Sequence, residues 1–192
     1  GSAWTSVTSL NAARANAAGS SGTQTSALLF GGGSSPQRAL TESWDGSSWS
    51  EVAEPNSTVY LRASAGNAPN TASIIFGGGY PRTANTETWN GSAWTEVADL
   101  NKGRNGASGA GVSNTSALCY GGSSPGTPSP NGATELWGGS SWTEVGDINT
   151  ARGTFAGGGG TQSSSVVAGG APNVAICADL ILIFVALRVL VI

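Results

Sequence analysis

A recurring phrase constrains the fold of this chain more than any other feature. It consists of a Gly-Gly doublet, a Thr-Glu-x-Trp sequence and a second tryptophan five residues after the first. The first tryptophan of each copy is Trp44, Trp89 or Trp137, so successive copies lie 45 and 48 residues apart. Self-similarity with a period of roughly 20–50 residues is typical of repeat proteins. A residue present in every copy is expected to build the repeat, which weighs against a catalytic role for the phrase.

The residues that we assign to the structural repeat are the doublet glycines and the paired tryptophans. They are Gly31, Gly32, Gly77, Gly78, Gly121, Gly122, Gly169, Gly170, Trp4, Trp44, Trp49, Trp89, Trp94, Trp137 and Trp142.

One unit of the repeat reads as four short strands. Residues 14–19 form a run of small side chains, and residues 25–30 form a compact apolar run that ends in glycines. Residues 39–44 and 48–52 are two further strand candidates, separated by the tight-turn sequence Asp45-Gly46. Nothing before the last twenty residues has helical periodicity. Four antiparallel strands with short turns, repeated radially, would form the blades of a β-propeller.

The units can be counted along residues 1–175. They are predicted at about residues 11–52, 56–97, 101–145 and 149–181. Trp4 lies 45 residues before Trp49, so residues 2–7 read as a lone fourth strand that can complete the last unit. Asp179 follows Gly169 by ten residues, the offset that separates Glu87 from Gly77. We therefore predict an all-β fold, a β-propeller of about four four-stranded antiparallel blades in which the N-terminal strand closes the last blade and removes an exposed edge. A fragment of a larger ring is the alternative.

The chain resembles the kelch repeat family, whose signature is a hydrophobic run into Gly-Gly followed by a spaced pair of aromatic residues. Two phrases, Thr-Gln-Thr-Ser-Ala-Leu-Leu-Phe-Gly-Gly and Trp-Asn-Gly-Ser-Ala-Trp-Thr-Glu-Val, are similar to kelch-like repeats of predicted phage and marine microbial surface proteins. The resemblance covers residues 1 to about 175. It implies a binding propeller on a virion fibre or cell surface, without naming a ligand.

The composition excludes several classes of function. Charged residues are only 10% of the chain and the net charge is −3, so no basic surface for nucleic acid is expected. Histidine is absent, which removes His-dependent triads, copper oxidase chemistry and most zinc sites. We expect no metal, no cofactor and no enzymatic activity. Methionine is also absent, which predicts a processed form or a fragment. Cys119 and Cys177 are read as two buried free thiols, with a bridge between repeats as the alternative.

The glutamate of each phrase has two interpretations. Glu42, Glu87 and Glu135 could act as the carboxylate pair of a glycosidase, or they could pair with a structural arginine. The arginines available for such pairs are Arg14, Arg62, Arg104 and Arg152. Because the glutamates recur once in each unit, we favour the structural pairing. The tryptophans likewise could stack on sugar rings or pack between blades, and we favour packing.

Two loops are longer than their counterparts. Residues 52–62 exceed the equivalent segments by three residues, and residues 121–135 are longer than residues 31–42. In an up-and-down blade these two loop types emerge on one face, and insertions in repeat proteins tend to map to the binding face. The binding candidates on this face are Gln37, Arg38, Tyr80, Arg82 and Asn131.

The C-terminal segment, residues 176–192, departs from the repeat. It is strongly apolar but carries Asp179 and Arg188. A buried or interfacial strand, a membrane anchor and an altered reading at the end of the sequence are the three interpretations, and the strand is favoured because β-branched residues are frequent.

Two functions are therefore expected from the sequence. The first is a non-enzymatic binding module, extracellular or on a virion surface, for a protein or glycan receptor. The alternative is a structural subunit of a filament or viral particle, a homo-oligomer or larger assembly, that uses the apolar C-terminus as its interface.

Overall fold

The regular structure of the chain is entirely β within the part that a computed structural model describes. These residues are 3–14, 19–32, 39–57, 60–126, 129–153, 156–170 and 179–182. Their strands form four antiparallel sheets, of which three have four strands and the last has three. The all-β, four-stranded antiparallel prediction is confirmed at this level.

Each sheet is built from strands that follow one another in the chain. Sheet 1 contains β1 (Gly19–Thr23), β2 (Ser26–Phe30), β3 (Thr41–Trp44) and β4 (Trp49–Val52). Sheet 2 contains β5 (Ala63–Ser64), β6 (Ile74–Phe76), β7 (Thr86–Trp89) and β8 (Trp94–Val97). Sheet 3 contains β9 (Ser108–Ser113), β10 (Ser116–Tyr120), β11 (Thr134–Trp137) and β12 (Trp142–Val145). Sheet 4 contains β13 (Ala156–Gly160), β14 (Ser164–Gly169) and β15 (Asp179–Leu182).

The register repeats from sheet to sheet. The two tryptophans of the phrase face each other across the last hairpin of the first three sheets, as in the pair Trp44 and Trp49. In the fourth sheet Val167 pairs with Asp179, which is the register that places Glu87 opposite Ile75. The predicted equivalence of Asp179 with the phrase glutamates is therefore confirmed for the backbone.

The first strand of sheet 1 can be compared with the prediction only in part. Residues 14–19 were expected to open the unit, but residues 15–18 lie outside the described part, and β1 is described as Gly19–Thr23. The sequence Gly-Ser-Ser-Gly-Thr has little intrinsic strand preference, and its position is set by the neighbouring strands. Gly22 donates its N–H to the carbonyl of Gly66, and Asn67 donates its N–H to the carbonyl of Gly111. The first strands thus approach one another so closely that small residues are required there.

The N-terminal segment also differs from the prediction. Residues 3–10 belong to no strand, and sheet 4 has three strands among the described residues. Trp4 is fully exposed, and Val7 is exposed as well. Thr8 instead donates its hydroxyl to the carbonyl of Ser47 at 3.1 Å, which holds the segment beside sheet 1. A local sequence pattern can predict that a segment forms a strand, but it does not determine which sheet the strand pairs with.

Successive sheets pack through the second tryptophan of each phrase. Trp94 in sheet 2 packs edge-on against Phe30 of sheet 1, with ring centroids 6.1 Å apart. Trp142 in sheet 3 packs in the same way against Phe76 of sheet 2, at 4.9 Å. The expected packing of tryptophans between units is confirmed for these two residues. Trp49, in the first sheet, is only half-buried.

The aromatic residue before each doublet needs a small partner in the next sheet. A Cβ built on Gly109 would lie 2.8 Å from the Phe76 ring, and one built on Gly158 would lie 1.6 Å from the Tyr120 hydroxyl. Glycine therefore admits the aromatic ring at both positions. The resulting cores run from sheet to sheet rather than within one sheet.

The C-terminal segment is described only at residues 179–182, which form β15. The strand interpretation is confirmed for these four residues, and the rest of residues 176–192 lies outside the described part. Among the described residues, no helix has the length and apolar character needed to cross a membrane.

Candidate functional site

The phrase glutamates are buried in ion pairs. Arg62 Nη1 lies 2.9 Å from Glu87 Oε1, and equivalent pairs join Arg14 to Glu42 and Arg104 to Glu135. The six side chains are no more than 2% exposed. The structural interpretation of the phrase glutamates is thus confirmed for all three.

Backbone groups complete each glutamate site. The N–H groups of Asn11, Asn56 and Asn101 donate to a carboxylate oxygen of the paired glutamate at 2.7–2.8 Å. These asparagines lie in the segment that precedes each of the first three sheets. The ion pair therefore fixes the connection between units, and both oxygens of its carboxylate accept hydrogen bonds from the scaffold.

The electrostatics of one pair can be followed in detail. Burial favours the protonated form of Glu87, but the hydroxyl of Ser57, the charge of Arg62 and the N–H of Asn56 outweigh it, and the pKa of Glu87 is lowered. Burial lowers the pKa of Arg62, an effect opposed by Glu87. The lowered pKa favours the ionised form of Glu87, which supplies the counter-charge of Arg62.

The paired tryptophans have structural hydrogen bonds. The indole N–H of Trp44, Trp89 and Trp137 donates to a carbonyl in the first hairpin of its own sheet. The indole N–H of Trp94 reaches Ala53 O, and that of Trp142 reaches Thr86 Oγ1, in the preceding sheet. These buried tryptophans therefore build the scaffold and do not present a face to a sugar.

A cluster in which Tyr80 is exposed, Asn105 is buried and the other members are half-buried forms where loops of sheets 2 and 3 meet. We call Tyr80, Arg82, Asn105, Ser123 and Asn131 the loop patch. Arg82 Nη2 donates to Ser123 Oγ at 2.7 Å, and Arg82 Nε donates to Asn105 Oδ1 at 3.4 Å. The guanidinium lies 5.9 Å from the centroid of the Tyr80 ring, within cation–π range, and Tyr80 is 75% exposed.

Three of the predicted binding candidates therefore fall in the loop patch, but they have different roles. Tyr80 presents its ring to solvent, whereas Arg82 is half-buried and ties two loops together. Asn131 braces its own loop, because its N–H donates to Gly122 O and its amide donates to Ser124 Oγ. Gln37 and Arg38 lie outside the described residues.

Described parts of the two lengthened loops are linked through the loop patch. In the first loop Tyr60 accepts the N–H of Gly79 at 2.7 Å, and Gly79 in turn accepts the amide of Asn105 at 2.9 Å. In the second loop Ser123 contacts Arg82. Leu61 has a φ of 58°, an uncommon conformation for a non-glycine residue, within the first lengthened loop. Strained backbone of this kind is often found at functional surfaces.

A cleft of about 400 Å³ shares Asn131 with the loop patch. Its lining consists of charged and amide side chains and one alanine: Asn101, Lys102, Arg104, Asn131, Ala133, Glu135, Glu144 and Asp147. Asn131 belongs to both the cleft and the loop patch, and a Cβ built on Gly103 would lie 3.1 Å from the carbonyl of Arg82. The two features are therefore continuous.

The sequence analysis did not identify the cleft. Lys102 is the only lysine of the chain, and it stands where the first two units have Ala12 and Ser57. This departure from the repeat is the sequence feature that could have indicated the cleft. Glu144 and Asp147 do not indicate it, because acidic residues occupy the same positions in the first two units.

The described residues contain no group of three or more His, Cys, Asp or Glu side chains placed to hold a metal ion. Comparison of the sequence with protein-family models and with curated proteins finds no match.

Proposed function

We propose that the chain is a non-enzymatic binding module that contacts a protein or glycan receptor through the loop patch. The observation that carries this proposal is Tyr80, a large aromatic side chain that is 75% exposed and held beside a hydrogen-bonded arginine. Tyrosine and arginine are enriched among residues that dominate binding energy, because they combine contact area with directional hydrogen bonds. A scaffold that fixes both before binding lowers the entropic cost of association.

The proposal is tested by binding measurements on matched variants. We expect Tyr80→Ala to abolish binding to a glycan array or to receptor-bearing cells, and Arg82→Ala to weaken it. Glu51→Gln, an exposed substitution on β4, serves as the control and should bind like the parent. Binding that survives both patch variants would overturn the proposal.

The fold proposed to carry this patch is a closed, kelch-like propeller of four blades. Asn67 in the segment after β5 donates its side-chain amide to Gly160 O in sheet 4 at 3.2 Å, so alternate sheets approach each other at their first strands. Close approach of alternate sheets favours a small ring. Asn101, whose N–H donates to Glu135 of sheet 3, follows Val97 at the end of β8 by four positions. Asn11, whose N–H donates to Glu42 of sheet 1, follows Val7 by the same spacing. Residues 2–7 therefore precede sheet 1 in the way that β8 precedes sheet 3.

The ring would close when residues 2–7 pair with β15. By the register of Ser43 with Ser50, Thr5 would lie opposite Leu180. Cysteines at these two positions, in a Cys177→Ser background, should form a disulfide within a monomer. If residues 2–7 entered a second copy, the same cysteines would yield covalent dimers or ladders. A lack of either product would exclude this pairing.

The alternative function is assembly into a filament or particle, and the ladder outcome would favour it. The supporting observation is the exposure of Trp4 and Val7 together with a three-stranded sheet 4. Location outside the cell or on a virion surface is proposed with the binding function. Surface labelling of intact particles or cells with an antibody to the loop patch tests it.

A further inference from the structure

We infer that the cleft beside the loop patch binds a short saccharide that carries no negative charge. This inference rests on the proposed binding function and names the ligand class for one part of its surface. The cleft volume of about 400 Å³ is within the size range of small-molecule sites. It is large enough for one or two sugar rings and too small for a folded partner.

The chemistry of the lining matches a polyhydroxylated ligand. Glu144 and Asp147 are exposed carboxylates that accept hydrogen bonds, and Lys102 is an exposed ammonium group that donates them. A sugar hydroxyl both donates and accepts, so adjacent hydroxyls can use the two kinds of group at once. Ala133 is the single apolar residue of the lining, so an apolar ligand would leave these charges without water or partners.

The charges argue against an anionic ligand. Arg104 and Glu135 neutralise each other in the wall of the cleft. An anionic sugar would face the carboxylates of Glu144 and Asp147, whereas a cationic sugar would be attracted by these two groups and repelled by Lys102 alone. A ligand without negative charge is therefore favoured.

The hydrogen-bond donor of the cleft, the ammonium group of Lys102, distinguishes the third unit from the first two. The carboxylate positions are repeated in sheets 1 and 2, whereas the ammonium group of Lys102 occurs only in the third unit. Asn101 is held in place because its side-chain amide donates to Glu135 Oε2 at 2.9 Å and to Trp142 O at 3.2 Å. The cleft therefore combines a fixed wall with exposed polar groups at its mouth.

Isothermal titration calorimetry and saturation-transfer NMR test this inference with defined probes. The neutral probes are cellotriose, maltotriose and N-acetylchitotriose, the anionic probe is 3′-sialyllactose and the cationic probe is chitotriose. We expect at least one neutral trisaccharide to bind, chitotriose to bind no more weakly, and 3′-sialyllactose to bind at least about tenfold more weakly. The paired substitution Glu144→Gln and Asp147→Asn should weaken neutral binding about tenfold, and Lys102→Ala should also weaken it.

The matched control carries Glu51→Gln and Glu54→Gln, which alter exposed carboxylates at the equivalent positions of the first unit. It should leave neutral binding unchanged. No binding by any neutral probe, stronger binding by the anionic probe, or equal effects of the cleft and control variants would overturn the inference. Receptor binding that depends on Tyr80 but not on the cleft variants would preserve the proposed function while this inference failed. Receptor binding that depends neither on Tyr80 nor on the cleft residues would overturn both the proposed function and this inference.

Discussion

Glu87 lies where the second unit is joined to its sheet, and its replacement by glutamine tests the structural role of the phrase. Its carboxylate accepts hydrogen bonds from Asn56 N at 2.7 Å, Ser57 N at 3.2 Å and Arg62 Nη1 at 2.9 Å, and it also accepts the Ser57 hydroxyl. Glutamine has nearly the same shape but one acceptor oxygen fewer. Its NH₂ group would face a donor, and Arg62 would lose its buried counter-charge.

The magnitude follows from burial. Removing one partner of a buried ion pair costs about 3–5 kcal/mol, because the remaining charge stays out of water. Arg62 would keep the hydroxyl of Ser57 at 2.6 Å and the longer-range attraction of Glu96 and Asp99. We therefore expect Glu87→Gln to lower the free energy of unfolding by about 3 kcal/mol.

Urea unfolding followed by tryptophan fluorescence measures this difference. Glu96→Gln is the matched control, since Glu96 lies directly opposite Glu87 in the register but is exposed. It should change the free energy of unfolding by less than about 0.5 kcal/mol. A loss below about 1 kcal/mol for Glu87→Gln, or equal losses in the two variants, would refute the reasoning.

The same pair predicts a pH dependence. The pKa of Glu87 is lowered in the folded protein, so its ionised form stabilises the fold at neutral pH. This contribution is lost as the pH falls below the unfolded pKa, about 4, and through the lower folded value. The stability difference between the parent and Glu87→Gln should therefore shrink in acid. A difference that grows in acid would contradict the pairing.

Three further predictions address packing and titration. In thermal melts, Gly158→Ala should destabilise the fold more than Gly159→Ala. A Cβ on Gly158 would lie 1.6 Å from the Tyr120 hydroxyl, whereas a Cβ on Gly159 has nothing within 4 Å. Adding Tyr120→Phe to Gly158→Ala should recover part of the lost stability. Asp45, whose carboxylate accepts the N–H groups of two following serines, should titrate by NMR with a pKa of about 2, and a value near 4 would contradict that turn. The Cys119 thiol should resist a thiol reagent in the native protein and react after unfolding, since burial raises its pKa to about 12; fast native labelling would show that this core opens.

Much of the scaffold is predictable because its determinants are local and repeated. The hairpin from Thr41 to Val52 follows from alternation and an Asp-Gly turn, and the same arguments hold in the next two units. The arginine partner of Glu87 could also be inferred, since both residues recur with the phrase. Repetition thus supplies long-range information that a single unit lacks.

The remaining features depend on how units meet. The position of β1 is set by glycine contacts such as Gly22 with Gly66, which lie in different units and have no local pattern. The loop patch depends on Arg82 reaching Ser123 across 41 residues of chain. The cleft depends on three separate segments, and only Lys102 distinguishes it in the sequence. The features proposed to bind ligands therefore lie where the repeat is interrupted.

The indole bonds that link each sheet to the preceding one have a consequence for biosynthesis. The indole N–H of Trp94 donates to Ala53 O, next to sheet 1, and that of Trp142 donates to Thr86 Oγ1 in sheet 2. Sheets 1 and 2 are therefore covered by these tryptophans only after the next unit has left the ribosome. During synthesis each of these sheets would therefore be stabilised only when the following unit has folded against it. A ribosome-bound chain in which residue 97 has just left the exit tunnel should have its first sheet protected from proteases and its second sheet still sensitive. A nascent chain of this design remains incomplete until its last unit emerges, which makes C-terminal truncation more damaging than its length alone suggests.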